Sequence, residues 1–436
     1  MKTTTSISQR PSNGLRVMTI VGTRPEAIKV APVIRALAES PDFQPIIAAT
    51  AQHRSMLDQT LDVFGLSPDH DLDLIVPRQT LAGFAARALE SLTELIEAER
   101  PDAVIVQGDT TTTFAGSLAA FYNKVPVVHL EAGLRTGDRY SPFPEELNRR
   151  LTTQLTTLHL PPTPESRANL LAEGVKAEDI VVTGNTVIDA LLWVVNQQAA
   201  PPDEDMAALE RDGRRILLVT AHRRESWGEG LVSVGRAVAE IARREPDLLV
   251  VLPLHKNPIV REALLPAVSG IENVTVLEPL DYRAFSWLLN RSHVVLTDSG
   301  GVQEEGPSLG KPVLVMRDTT ERPEAVAAGT ARLVGTDTDV IVANVEALLH
   351  DEGHYRAMAH AVNPYGDGRA AERTVAALAH HFGLGPPAVP FAPSNSGHAS
   401  ANATLGASHP TPAEVALSAL VSADSDRYLR EKVSGR

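Results

Sequence analysis

Leu15-Arg16-Val17-Met18-Thr19-Ile20-Val21, followed at once by Gly22-Thr23-Arg24-Pro25-Glu26 and, one helical turn on, by Lys29, decides the fold. A short β-branched run that hands over to a glycine and a group of charged residues predicts a buried strand ending at a functional rim. The same handover repeats outward along the chain. Ile46 to Thr50, Ala103 to Gln107 and Val127 to Leu130 form further strand-sized runs, with helical periodicity between them, as over Thr80 to Glu99. Such alternation predicts a parallel sheet with helices on both faces. The pattern breaks at Asn196 to Glu204, a Gln-, Ala- and Pro-rich linker. It restarts with Ile216 to Thr220, Leu248 to Leu252, Val274 to Leu277, Val294 to Thr297 and Val313 to Val315. The expected fold is α/β: two Rossmann-like, doubly wound domains, 15–196 and 205–368, facing each other across a cleft. Residues 1–14 and the Pro/Ala/Ser-rich tail 384–436 are expected to be mostly disordered, apart from a short amphipathic helix over Ala413 to Lys432.

Composition narrows the chemistry. The 436 residues suffice for two or three domains, and 43% hydrophobic with 22% charged residues is ordinary globular usage, with an aliphatic core implied by 4% aromatics. Forty Lys and Arg against 54 Asp and Glu leave a net charge of −14. That surface repels nucleic acid and anionic lipid, so a phosphate must be caught by a few local cations and backbone N–H groups. The absence of Cys removes disulfides, thiolate zinc, iron–sulfur clusters and cysteine nucleophiles. Met1 to Asn13 lacks the apolar stretch of a secretory signal, and the longest apolar runs are strand-sized. A cytoplasmic location without membrane or nucleic-acid partners is expected.

Ligands of open parallel sheets sit beyond the carboxyl ends of the strands. After the predicted strands come Gly22-Thr23-Arg24-Pro25-Glu26, Gly108-Asp109, Glu131-Ala132-Gly133, His222-Arg223-Arg224-Glu225 and Asp298-Ser299-Gly300-Gly301. Singly, each has a bland explanation: glycines turn chains, Asp109 could cap the helix near Thr111, and Arg223 and Arg224 could be solvated. Five such clusters on facing edges favour a site. Ser299, Gly300 and Gly301 open a helix whose N-terminal N–H groups suit a diphosphate. Glu305, one turn deeper, suits paired ribose hydroxyls, and Arg24 and Arg322 supply cations. Asp109, Glu131, Glu145 and His222 are the candidates for proton transfer. His129-Leu130-Glu131 matches the H-x-E of zinc deaminases, yet without Cys that metal site cannot be completed. Walker-A and G-x-G-x-x-G patterns are missing where a strand meets a helix, which argues against an NTPase or a dinucleotide dehydrogenase.

Eight motifs in order resemble the non-hydrolysing UDP-N-acetylglucosamine 2-epimerases: Gly22 to Glu26, Thr50 to Arg54, Gln107 to Thr110, Glu131 to Gly133, Pro142 to Glu146, His222 to Glu225, Thr297 to Gly301 and Glu321 to Glu324. The resemblance spans roughly Leu15 to Phe382. It implies a GT-B-like fold, with a C-terminal helix near Arg369 to Phe382 crossing back to the first domain, and a homodimer. The implied reaction interconverts UDP-GlcNAc and UDP-ManNAc with no cofactor and no metal, through anti elimination of UDP to 2-acetamidoglucal and re-addition. By carry-over, Asp109, Glu131, Glu145 and His222 match the family's acid/base and leaving-group residues. Arg24, Lys29, Ser299, Gly300, Gly301, Glu305 and Arg322 match UDP contacts, with Phe285 near the uracil. Gln52, Arg78 and His255 match a second, activating UDP-GlcNAc site, although Ser55 departs from the Gln usual there. A hydrolysing relative releasing ManNAc, a GT-B glycosyltransferase and a sugar-nucleotide sensor are the alternatives.

Overall fold

The computed structural model of the chain describes residues 14–50, 54–76 and 78–393. The tail from 394 onward, with its expected helix, and Gln52 lie outside the described residues. The first half of the chain runs β1 (Leu15–Val21), α1 (Arg24–Glu39), β2 (Phe43–Ala49), α2 (Arg54–Val63), β3 (His70–Asp71), α3 (Leu81–Glu99), β4 (Ala103–Gln107), α4 (Thr111–Tyr122), β5 (Val127–Leu130), α5 (Glu145–Leu155), β6 (Leu158–Leu160), α6 (Pro164–Ala172) and α7 (Thr186–Gln197). The second runs α8 (Glu204–Asp212), β7 (Arg215–Thr220), α9 (Glu229–Arg244), β8 (Leu248–Pro253), α10 (Pro258–Val268), β9 (Val274–Leu277), α11 (Tyr282–Arg291), β10 (Val294–Thr297), α12 (Gly300–Ser308), β11 (Val313–Val315), α13 (Pro323–Ala327), β12 (Ala331–Leu333), α14 (Thr338–His350), α15 (Glu352–Ala359) and α16 (Ala370–His381).

Each half builds a six-stranded sheet, in the orders β3-β2-β1-β4-β5-β6 and β12-β11-β10-β7-β8-β9, with every strand pair parallel. The two orders are the same doubly wound topology, so both have a switch point, between β1 and β4 and between β7 and β10. Parallel strands covered on both faces read as continuous apolar runs. Accordingly Val17 and Val21 point into a core with Ile34 and Phe64, while Met18 and Ile20 point into another with Phe84, Leu92 and Ile96.

Helix α7 joins the halves. Val187, Ile188, Ala190 and Val194 pack in the first core, whereas Leu191 packs in a core of the second sheet with Leu218 and Leu288. The α16 helix crosses back, burying Ala371, Ala377 and Leu378 against the first sheet. Its start is pinned by Asp189 of α7, whose carboxylate accepts the N–H groups of Ala370 (3.2 Å) and Ala371 (2.8 Å). Among the described residues no helix is long and apolar enough to cross a membrane.

Some boundaries differ from expectation. β2 starts at Phe43 because the whole segment to Ala49 keeps register with Leu15 to Val21. The linker shortens to 198–203, since the α7 pattern holds through Gln197.

Candidate active site

The first sheet's rim is organised around Glu131, which follows β5 in the left-handed region at φ 59°. A non-glycine residue there is strained, and such strain persists where surroundings over-determine it. Here Lys29 of α1 donates to both carboxylate oxygens at 2.5 and 2.6 Å, Gln107 at the end of β4 donates to Oε2, and Asn185 reaches Oε1 at 3.4 Å. Burial opposes ionisation of Glu131, but Lys29, Arg322 and Arg149 outweigh it and hold the carboxyl below its ordinary value. Asp109 behaves oppositely. Burial, with the charges of Glu131 and Glu145, pushes its carboxyl up against the pull of Arg149, which lies 3.4 Å away. Asp109 does not cap α4; that role falls to Thr110, whose hydroxyl accepts the Thr113 N–H. Glu145 is the first residue of α5, within electrostatic reach of Asp109. Fully buried Glu146 holds the preceding loop by accepting the N–H groups of Thr136 and Gly137.

The second sheet's rim gathers cations around a helix N-terminus. Helix α12 begins at Gly300 after Ser299, which makes no side-chain cap and so leaves the first-turn donors open. A Cβ at Gly300 would lie 3.5 Å from the Arg223 guanidinium and 3.8 Å from that of Arg322, so two cations flank the turn. Arg223 Nε is buried with no hydrogen-bond partner among the described residues. Arg322 is seated by a hydrogen bond to buried Glu304, and the charges of Glu304 and Glu131 hold it firmly protonated despite burial. Glu305 faces the same turn: a Cβ on Gly301 would lie 3.8 Å from its carboxylate. Tyr282 donates to it at 3.3 Å, and burial, with the adjacent Glu304 charge, pushes the Glu305 carboxyl up to about 7. Arg24, exposed at the start of α1, and Lys29 are the cations that act on Glu305 from the first domain. Phe285 is half-buried beside the second core on α11.

The structure therefore brings Asp109, Glu131 and Glu145 together and links them, through Lys29 and Arg322, to the Ser299 to Glu305 turn. Lys29, expected on the diphosphate, is bonded to Glu131. His222 stands apart from the carboxylates on the second rim. Its Nδ1 lies 3.0 Å from Asp298 and its ring stacks on His255 at 5.9 Å, so His255 shares that rim. Arg78 lies at φ 59° between β3 and α3. Sequence reasoning missed Gln107, Arg149, Asn185, Arg223 as a cation beside the helix turn, and Glu304. Arg149 and Glu304 sit inside helices, where only an unexpected charge at a core position could have marked them. Asn185 reads as an ordinary helix cap.

Fold and site together define a GT-B-like α/β protein in which a cluster of buried carboxylates is linked to a helix turn flanked by cations. The family model described as UDP-N-acetylglucosamine 2-epimerase matches residues 35–379. The UDP-N-acetylglucosamine 2-epimerase of Escherichia coli is 53% identical over 370 residues, 84% of this chain and 98% of that protein. The Salmonella typhimurium protein of the same name is 52% identical over 370 residues, with the same shares. The crystal structure of UDP-GlcNAc 2-epimerase from Neisseria meningitidis bound to UDP-GlcNAc matches with a TM-score of 0.76 and 47% identity, over 84% of this chain and all of that one. This chain belongs to the UDP-N-acetylglucosamine 2-epimerase family.

Proposed function

We propose that the protein is a non-hydrolysing isomerase that interconverts UDP-GlcNAc and UDP-ManNAc. The observation that carries this reading is the joining of a carboxylate held ionised by its cations, Glu131, and one raised by burial, Asp109, to a cationic helix turn through Lys29 and Arg322. One carboxylate removes the C2 proton while the C1–O bond breaks, and its electron pair leaves on the β-phosphate of UDP. The C2–H electrons become the C1–C2 double bond of 2-acetamidoglucal. Arg322, Arg223 and the α12 N-terminus stabilise the departing charge. UDP then re-adds to C1 as a second acid protonates C2 on the other face. Neither the elimination nor the re-addition transfers a hydride, so this route uses no redox cofactor.

Incubated with UDP-GlcNAc in deuterium oxide, the enzyme should yield UDP-ManNAc carrying deuterium at C2, seen as loss of the C2 proton signal by NMR. Free ManNAc would indicate the hydrolysing reaction, and retained C2 hydrogen would exclude proton transfer with solvent-exchanging carboxylates.

Glu305 is the proposed partner of the ribose hydroxyls, which it accepts as a carboxylate. Because its pKa stands at about 7 when the ligand is absent, affinity for UDP-GlcNAc should rise with pH through 7 and level above about 8, approaching a tenfold change per unit below 6. The bridged diphosphate of the ligand does not titrate in this window, so calorimetry between pH 5.5 and 8.5 isolates the protein group. Glu305→Gln should flatten the profile; an unchanged profile would remove Glu305 from that role. For folding the sign is opposite. A raised carboxyl pKa gives stability that is present below the ordinary value of 4.5 and is lost as pH rises through 7.

A homodimer in the cytoplasm fits this reading. Phe121 and Tyr122 of α4 and Leu147 and Leu151 of α5, helices that contact each other, are exposed apolar side chains suited to a partner subunit. The second UDP-GlcNAc site, with Arg78 and His255, belongs to the same proposal.

A further inference from the structure

Asn185 occupies the point where the two halves of the site meet. It is 3% exposed and precedes α7, the helix shared by both domains. Its Oδ1 accepts the Val187 N–H at 3.1 Å, an ordinary N-cap bond. Its Nδ2 does something a cap does not require. The two amide hydrogens point at two carboxylates from different domains, Glu304 at 3.0 Å and Glu131 at 3.4 Å. Glu304 in turn seats Arg322, and Glu131 is paired with Lys29. The backbone N–H of Asn185 also donates to the Tyr365 carbonyl at 2.6 Å, on the segment that crosses back toward α16.

We propose that Asn185 is a positioning residue for epimerisation: its amide ties the proton-transfer carboxylate Glu131 to the carboxylate that holds the phosphate-binding Arg322, so that base and leaving-group site keep a fixed separation. The inference rests on the functional reading above. Among uncharged side chains an amide has two N–H donors and can serve two carboxylates at once, which a hydroxyl with its single donor cannot. Lys29 and Arg322 balance the charge, but both must also serve the departing diphosphate. The amide keeps the carboxylates in place while that happens.

Ser and Asp are both good caps, so they separate capping from donation. If capping were the whole role, Asn185→Ser and Asn185→Asp would both behave as wild type. With the proposed role, Asn185→Ser should lower kcat by about 10- to 100-fold, the weight of hydrogen bonds to charged groups, while KM for UDP-GlcNAc stays within about threefold. Asn185→Asp should lose more, since it sets a third negative charge between Glu131 and Glu304. Thermal midpoints of the Ser variant and the wild type should agree within a few degrees. Wild-type kcat in both variants would overturn the proposal, as would losses of kcat that merely follow a fallen thermal midpoint. Failure of the unaltered enzyme to epimerise UDP-GlcNAc is seen before any variant is made, and overturns the functional reading and this inference with it.

Discussion

Replacing Glu131 by Gln is expected to cut turnover of UDP-GlcNAc by on the order of 100-fold or more, with UDP affinity changed only a few-fold. Gln keeps the volume and one acceptor oxygen of the side chain, so the left-handed backbone at this position is undisturbed. What disappears is the carboxylate's charge and its capacity to exchange a proton. The substitution also strips Lys29 of its main partner: the side chains of the pair are only 16% and 8% exposed. Burial works against the Lys29 charge, which stays high because of Glu131 and Glu304. Removing one member of a buried pair costs about 3 to 5 kcal/mol of stability. Loss of turnover could then be mistaken for loss of fold. The double variant Lys29→Met with Glu131→Gln separates the two, because it removes the stranded cation; its thermal midpoint should recover toward wild type while turnover stays low. Near-normal turnover in the single Gln variant would show that Glu131 moves no proton.

The same region shows what a sequence can reveal. Strands were legible where the sequence offers an unbroken β-branched or aliphatic run, and six of them, β1, β4, β5, β9, β10 and β11, match the expected bounds to the residue. Three of the four edge strands were not. His70–Asp71, Leu158–Leu160 and Ala331–Leu333 are two or three residues long and lie at the ends of the two sheets. Each is also interrupted by a polar residue, His70 and Asp71, His159 or Arg332, so no apolar run marks it as the equally short Val313–Val315 is marked; only pairing with a neighbour makes it a strand. The site divides along a similar line. Residues that follow strands directly, such as Asp109, Glu131 and Ser299, were visible because topology sends ligands to that rim. Asn185, Arg149 and Glu304 contribute through contacts between distant segments, and no local spacing records those.

Gly133 carries the clearest case of a constraint that lies outside its own neighbourhood in sequence. It follows Glu131 by two residues, at φ 88°, and a Cβ there would stand 2.2 Å from the Ser166 carbonyl oxygen and 2.9 Å from its carbon. That carbonyl belongs to the first turn of α6, so relief requires moving a helix or the loop that carries Glu131. Asn169 of α6 donates to the Gly133 carbonyl at 3.0 Å, which ties the two segments further. Gly65 offers a control: its φ is 68° and nothing lies within 4 Å of an added Cβ. Gly65→Ala should therefore lose only the left-handed penalty, about 1 to 2 kcal/mol. Gly133→Ala adds overlap with backbone, for a total of about 3 to 5 kcal/mol. In a chain of this size that lowers the thermal midpoint by about 3 to 6 °C, against about 1 to 2 °C for Gly65→Ala. Any Gly133→Ala protein that does fold should turn over poorly, because the accommodating shift displaces Glu131. A midpoint equal to that of the Gly65 variant would mean that α6 yields freely, and the contact would then have no part in holding Glu131 in place.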